Sequence, residues 1–195
     1  MVLKRANFAR WIAMAMLFLV LHAIAGGLGY ADEEEKRRVE ISLSIFPRIV
    51  AVDNHFRSKL DGNDKVQLFF LYESNEDRAK ELVDRLKLDN RSIGGKSVTA
   101  VTLSVSSVVQ DLNKQIPTAI FLSERLSDNE LIKVMKYAEE KNRLVFSPFS
   151  GDVERGVTVG ISVTSRVKPY FNLPVLHRSN VAINALLMKM SKRYE

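Results

Sequence analysis

Apolar residues in this chain fall into runs that change character along its length. Residues 34–52 repeat at helical spacing: Val39, Leu43, Phe46 and Val50 form one stripe, and Ile41, Ile45 and Ile49 a neighbouring one. Pro47 interrupts the pattern and is expected to end or kink that helix. Val66 to Tyr72 is a nearly continuous apolar run, as in a strand buried on both faces. Ser74 to Asp77 reads S-x-x-D, a capping signal, ahead of a helix carrying Ala79, Leu82, Val83 and Leu86. Val98–Val105 predicts a second strand, a short helix follows around Ser107–Leu112, and Thr118–Leu122 predicts a third strand. Ser127 to Glu130 is a full S-x-x-E capping box, with Leu126 and Leu131 placed as a hydrophobic staple. It opens a helix whose inner face is Leu131, Val134, Met135 and Ala138. Leu144 to Phe146 is a fourth strand.

Residues 65–146 therefore alternate strand and helix, which argues for a parallel sheet covered by helices. Beyond them the period changes. Val157, Val159, Ile161 and Val163 alternate with polar or small residues, the signature of a half-buried strand. Thr164-Ser165-Arg166 is placed to turn the chain, and Val167–Leu173 to return it antiparallel. Ile183–Met190 predicts a last apolar helix, with Lys189, Lys192 and Arg193 as cations suited to its C-terminus. The expected fold is an α/β three-layer sandwich with a mostly parallel central sheet, plus a C-terminal β-hairpin and helix.

The first 31 residues stand apart. Lys4, Arg5 and Arg10 precede an almost wholly apolar stretch, Trp11 to Ile24. Gly29-Tyr30-Ala31 then puts small residues at −3 and −1 of a cleavage site. This is the layout of a secretory signal peptide, with cleavage expected after Ala31 and a periplasmic product. The alternative, a retained membrane anchor, has a run short of the roughly 20 residues a span needs. Residues 32–195 are then expected to form a single domain. The formal charge of +6 falls to +3 without the three leader cations, too mild an excess to argue for nucleic acid. The chain has no cysteine, which excludes disulfides, thiol catalysis and thiolate metal sites.

Candidate chemistry is sparse. "IGGKS" at 93–97 suggests a phosphate loop, but the position of the first glycine holds Asn90, and the glycines lead from helix to strand rather than strand to helix. A connecting turn is the better reading. His55 and His177 are 122 residues apart with no third ligand in sight, so no metal and no other cofactor is expected. Glu73, Glu76 and Asp77 suggest either an acidic pocket or acids that favour a helix N-terminus. In "FSPFSGDVERGV", 146–157, Asp152 and Glu154 are the candidate acid and base, but Ser147 and Ser150 lack the G-x-S-x-G elbow. The alternative is a structural loop, with Gly151 and Gly156 supplying positive φ. No catalytic residues are assigned.

The stretch "VKPYFNLPVLHRSNVAINALLMKMS" from Val167 resembles the C-terminal signature of the YfiR/HmsC-like family of small exported bacterial proteins. Phe171 closes the strand and Asn172-Leu173 stands at the family's Asn-Leu. Asn180 falls at its glycine, and Val181, Ile183, Leu187, Met188 and Met190 fall on its apolar positions. "IGGKSVTAVTL", "TAIFLSE" and "RLVFSPFSGDVERGVTVGISV" resemble further family segments, so the resemblance covers residues 39–191. The family's paired serines are Asn184 and Ala185 here, and the cysteines of well-known members are absent. The resemblance implies a non-enzymatic periplasmic regulator that acts by protein contact, in the best understood cases restraining an inner-membrane diguanylate cyclase and hence cyclic-di-GMP signalling. It also implies a homodimer. The surplus of apolar residues on the first helix makes Ile41, Ile45, Phe46 and Ile49 the candidate partner-binding residues, unless they are core. A small solute-binding or sensory module, with a pocket at the strand ends, is the other reading of the same fold.

Overall fold

The computed structural model describes residues 33–89, 92–110 and 115–195. The expected leader and its cleavage site lie outside the described residues. The chain divides into two compact units, 1–37 and 38–195. Of the first, the described residues 33–37 are helical; everything below concerns the second. Helix α1 covers residues 33–51.

After α1 and a 3-10 turn at Phe56–Lys59 come β1 (Val66–Tyr72), α2 (Glu76–Asp89), β2 (Ser92–Ile93), β3 (Lys96–Ser104), α3 (Val105–Val109) and β4 (Ala119–Leu122). Then follow α4 (Asp128–Glu140), β5 (Leu144–Phe146), β6 (Val159–Val163), β7 (Val167–Asn172), α5 (Leu173–Arg178), α6 (Ala185–Met190) and β8 (Lys192–Tyr194). The strands form one sheet in the order β2-β3-β1-β4-β5-β6-β7-β8. Only the β2–β3 and β6–β7 pairs are antiparallel.

Phe69 and Phe70 of β1 point to opposite faces of the sheet, and both are fully buried. The register sets Phe70 beside Phe121, and Phe121 beside Phe146. Their rings stack across three strands at 5.0 and 5.5 Å. Phe46 of α1 lies against all three, with its centroid 5.3 Å from that of Phe121. Each such pair contributes about 0.5–1.5 kcal/mol beyond its burial. The chain moves from β1 outward to β3, then back past β1 to β4 and β5. Right-handed crossovers therefore place α2 on one face and α3 and α4 on the other. α1 shares the α2 side, where Glu40 pairs with Arg85 at 2.8 Å. The result is three layers.

Several expectations need correction. Pro47 neither ends nor breaks α1, which runs on to residue 51. Phe46, Ile49 and Val50 on either side of it are anchored in the core, and that burial outweighs the roughly 3 kcal/mol an interior proline costs. Phe46 and Ile49 are 0% and 1% exposed, so neither can face a partner; Ile41 and Ile45 are half-buried at the margin of the same core. Gly94 and Gly95, with φ of 58° and 78°, form a tight hairpin between β2 and β3 rather than an αβ turn. A side chain at 94 would meet the Phe56 ring at 2.7 Å. The short helix after β3 begins at Val105, ahead of its predicted start; residues 111–112 of that prediction, and Asn90, lie outside the described residues. The C-terminal helix starts at Ala185 and stops at Met190. Lys192 and Arg193 are not its terminal cations; they lie in β8, which pairs parallel with β7.

Candidate functional site at the strand ends

Reversal of the chain's direction at β1 makes the carboxyl ends of β1 and β4 the topological switch point, where open α/β sheets bind ligands. The loops after β1, β4 and β5 meet there.

The switch point is closed by two glutamates that cross over. One oxygen of Glu124, after β4, accepts the backbone N–H groups of Glu73, Ser74 and Asn75 at 2.7, 2.6 and 2.8 Å. Its other oxygen accepts the Ser74 hydroxyl at 2.9 Å. In return Glu73, after β1, accepts the Ser127 N–H at 2.7 Å and the Ser127 hydroxyl at 2.9 Å. Glu124 thus takes three N–H groups of the turn that leads into α2, and Glu73 the one N–H of the residue that caps α4, beside the position an anionic ligand takes in such folds. Burial by itself would raise the Glu124 pKa, but the donors from Ser74, Asn75 and Glu73 outweigh it and hold the carboxyl below its ordinary value.

These contacts also revise the capping. Asn75 rather than Ser74 caps α2, accepting the Arg78 N–H at 3.0 Å, because Ser74 is committed to Glu124. Ser127 caps α4 from its side chain, but the box is only half formed. Its own N–H goes to Glu73, while Glu130 pairs with Lys133 at 2.6 Å. Glu73, Glu76 and Asp77 do not converge: Glu73 turns to Ser127, and Glu76 pairs with Lys80 at 2.8 Å.

The 146–157 loop is a closed hydrogen-bonded unit. Asp152 is fully buried; it accepts the Ser147 hydroxyl at 2.6 Å and the Arg155 guanidinium at 2.7 Å. Arg155 also reaches the Leu126 carbonyl at 2.8 Å and Asp128 at 2.6 Å, tying the loop to the start of α4. Gly151 and Gly156 take φ of 84° and 108°. A side chain at Gly160 would stand 2.9 Å from the Ser147 carbonyl. Asn172 donates to the Val153 carbonyl at 2.8 Å and accepts the Val175 N–H at 3.1 Å, so it holds the loop and caps α5 together. Phe171 is buried beside it, Leu173 starts α5, and Asn180 has φ of +46°.

Asp152 and Glu154 are not brought together as an acid and base pair. Asp152 is sealed in the loop, whereas Glu154 is exposed and lines a cavity of about 220 Å³ between the loop, the β6–β7 hairpin and Arg38. Arg38, Tyr170 and Lys192 share that lining. Arg38 donates to the carbonyls of Pro148 and Ile161 at 3.1 and 2.9 Å. The Lys192 ammonium stands 4.1 Å from the Tyr170 ring centroid. Burial, reinforced by a hydrogen bond to Glu154, raises the Tyr170 phenol pKa. The small cavity therefore carries both signs of charge and a phenol. Sequence reasoning missed Arg38, Tyr170 and Lys192, which reach it from three separate elements.

His55 and His177 are exposed at the other end of the sheet, each beside Asn180, whose carbonyl is 3.3 Å from His55 Nδ1. Among the described residues no group of three or more metal-ligating side chains occurs. No helix among them is long and apolar enough to cross a membrane.

No protein-family model matches the chain, and no curated protein matches it. Solved structures do resemble it. A substrate binding protein with adhesive properties from Clostridium difficile, in its ligand-free, open form, aligns with TM-score 0.51 and 16% identity over 67% of this chain and 54% of that one. The likeness is one of fold. An ABC domain in complex with L-Trp from Streptococcus pneumonia aligns at TM-score 0.48 and 13% identity, over 74% and 61% of the two chains. A conserved domain protein from Vibrio cholerae gives 0.48 and 15%, over 71% and 57%. The chain thus spans 54–61% of the length of these neighbours.

Proposed function

We propose that this protein is a non-enzymatic binding module that takes a small zwitterionic solute, of the amino-acid class, at its strand-end face. The observation that carries the reading is the 220 Å³ cavity, whose lining sets the Glu154 carboxylate, suited to an ammonium, in the same pocket as the Lys192 ammonium, suited to a carboxylate; Arg38 is held on the Pro148 and Ile161 carbonyls and shapes its wall. Its position beside the carboxyl ends of the strands is where α/β folds bind solutes. The fold shared with a substrate binding protein supports solute binding, without bearing on the class of solute. Against catalysis at this loop stands the commitment of Asp152 to Ser147 and Arg155, which keeps it from pairing with Glu154 as acid and base. Thermal shift of the purified protein against the twenty common amino acids tests the reading. At least one should raise the melting temperature in a saturable way, and Glu154→Gln should abolish the rise. No shift with any of them would sink the proposal.

A second reading, regulation by protein contact, is favoured by the C-terminal edge. No residue of α6 is buried, and Leu186, Met190 and Tyr194 are exposed there. The resemblance to YfiR/HmsC-like regulators implies a homodimer or an inner-membrane signalling partner for such a surface. Sedimentation velocity over a hundredfold concentration range tests the homodimer: association that Leu186→Ser removes supports it, and a concentration-independent monomer counts against it.

A further inference from the structure

The amino ends of the strands carry the larger cavity, about 650 Å³, within the size range of small-molecule sites. Gln67 of β1 lines it opposite Thr99 of β3, its register partner, with Val101 two positions along on the same face. Arg143, from the turn between α4 and β5, and Lys65 supply positive charge to the lining. Gln67 Nε2 donates to Gln115 Oε1 at 2.5 Å, which leaves the Gln115 side-chain N–H groups and Gln67 Oε1 for other partners.

One acid, Asp61, shares the lining with Lys65 and Arg143, so the two cations outnumber it. Asp61 accepts the backbone N–H groups of Asn63 and Lys65 at 2.9 and 2.8 Å, which shapes its own loop. Asp53 is consumed by a buried ion pair with Lys59 at 2.5 Å, and Asp64 pairs with Lys96. Arg143 is less satisfied. Its Nη1 reaches the Asn142 carbonyl at 3.3 Å, but its buried Nε has no hydrogen-bond partner among the described residues. That Nε is closed to solvent, so the part of the guanidinium left to meet an oxyanion in the cavity is its Nη edge, which makes one long bond.

The geometry points to a binding site for a small oxyanion, a carboxylate or phosphate group, held by Arg143 and Lys65 with Gln67 and Gln115 beside it. This site is at the far end of the sheet from the solute cavity and independent of it. Succinate and inorganic phosphate are the probes, titrated separately into ¹⁵N-labelled protein with sodium chloride at matched ionic strength as the control. The site predicts saturable shifts of the Gln67 and Gln115 side-chain amides with at least one probe and none with chloride. The probe that acts distinguishes a carboxylate from a phosphate ligand. Arg143→Gln should weaken that binding at least tenfold. Lys65→Ala, a change on an exposed loop that keeps the fold, should weaken it severalfold. The assignment is overturned if neither probe shifts these amides, if binding survives Arg143→Gln, or if Lys65→Ala leaves the affinity unchanged.

Discussion

At its carboxyl ends the central sheet closes on itself, whereas at its amino ends it stays open. Around the switch point three carboxylates have found donors in the protein: Glu124 on three backbone N–H groups, Glu73 on Ser127, and Asp152 on Ser147 and Arg155. At the amino ends the acids are spent on local turns and one buried ion pair, and a guanidinium remains with a buried N–H unpaired. The contrast teaches that in this fold the conventional anion position has become a structural joint. The cavities that remain lie beside it and at the opposite end.

The comparison can be broken most forcefully at Asp152. Its replacement by Ala strands Arg155 and Ser147 around a fully buried position, and should cost about 3 kcal/mol or more in urea unfolding. A loss below about 1 kcal/mol would mean that the 146–157 loop is not a joint. Glu124→Ala removes the shared acceptor of four donors and should cost about 1–2 kcal/mol, the range of a lost helix cap. Arg143→Gln, at the open end, should change stability by less than about 1 kcal/mol, since it removes a donor that makes one long bond. A large loss there would show that the open end is a joint too. Leu186→Ser on the exposed α6 should stay within about 0.5 kcal/mol.

Acid sharpens the same contrast. The folded-state pKa of Glu124 lies below its ordinary value, so the stability it contributes is present above about pH 4.5 and is lost as the pH falls through the folded value. Urea midpoints between pH 3 and pH 6 should therefore fall less steeply in Glu124→Gln than in the parent protein. Equal slopes would remove Glu124 from the acid response.

Much of the layered fold was legible because its strands are buried on both faces. β1 and β5 match their apolar runs residue for residue, and the period-two stretch marked β6 and its antiparallel partner β7. β8 was not legible: Lys192, Arg193 and Tyr194 have no pattern of their own, and only the free edge of β7 makes them a strand. On α1, surplus apolarity suggested a docking surface, but an aromatic stack from three strands absorbs Phe46. The candidate sites were the least legible part. The S-x-x-E signal marked the cap of α4 and the S-x-x-D signal fell one residue ahead of the Asn75 cap of α2, yet the carboxylates that bind Ser74 and Ser127 come from about fifty residues away. Likewise Gln67, Gln115 and Arg143 meet only through the order of the strands.

The closed switch point is tested most directly by a phosphate titration of ¹⁵N-labelled parent protein and Glu124→Ala, followed at the backbone amides of Glu73, Ser74 and Asn75. With its carboxylate in place the parent should show no saturable shift at these three amides, while Glu124→Ala should bind phosphate there. Saturable shifts of the same amides in the parent, at the concentrations that act on the variant, would contradict the account.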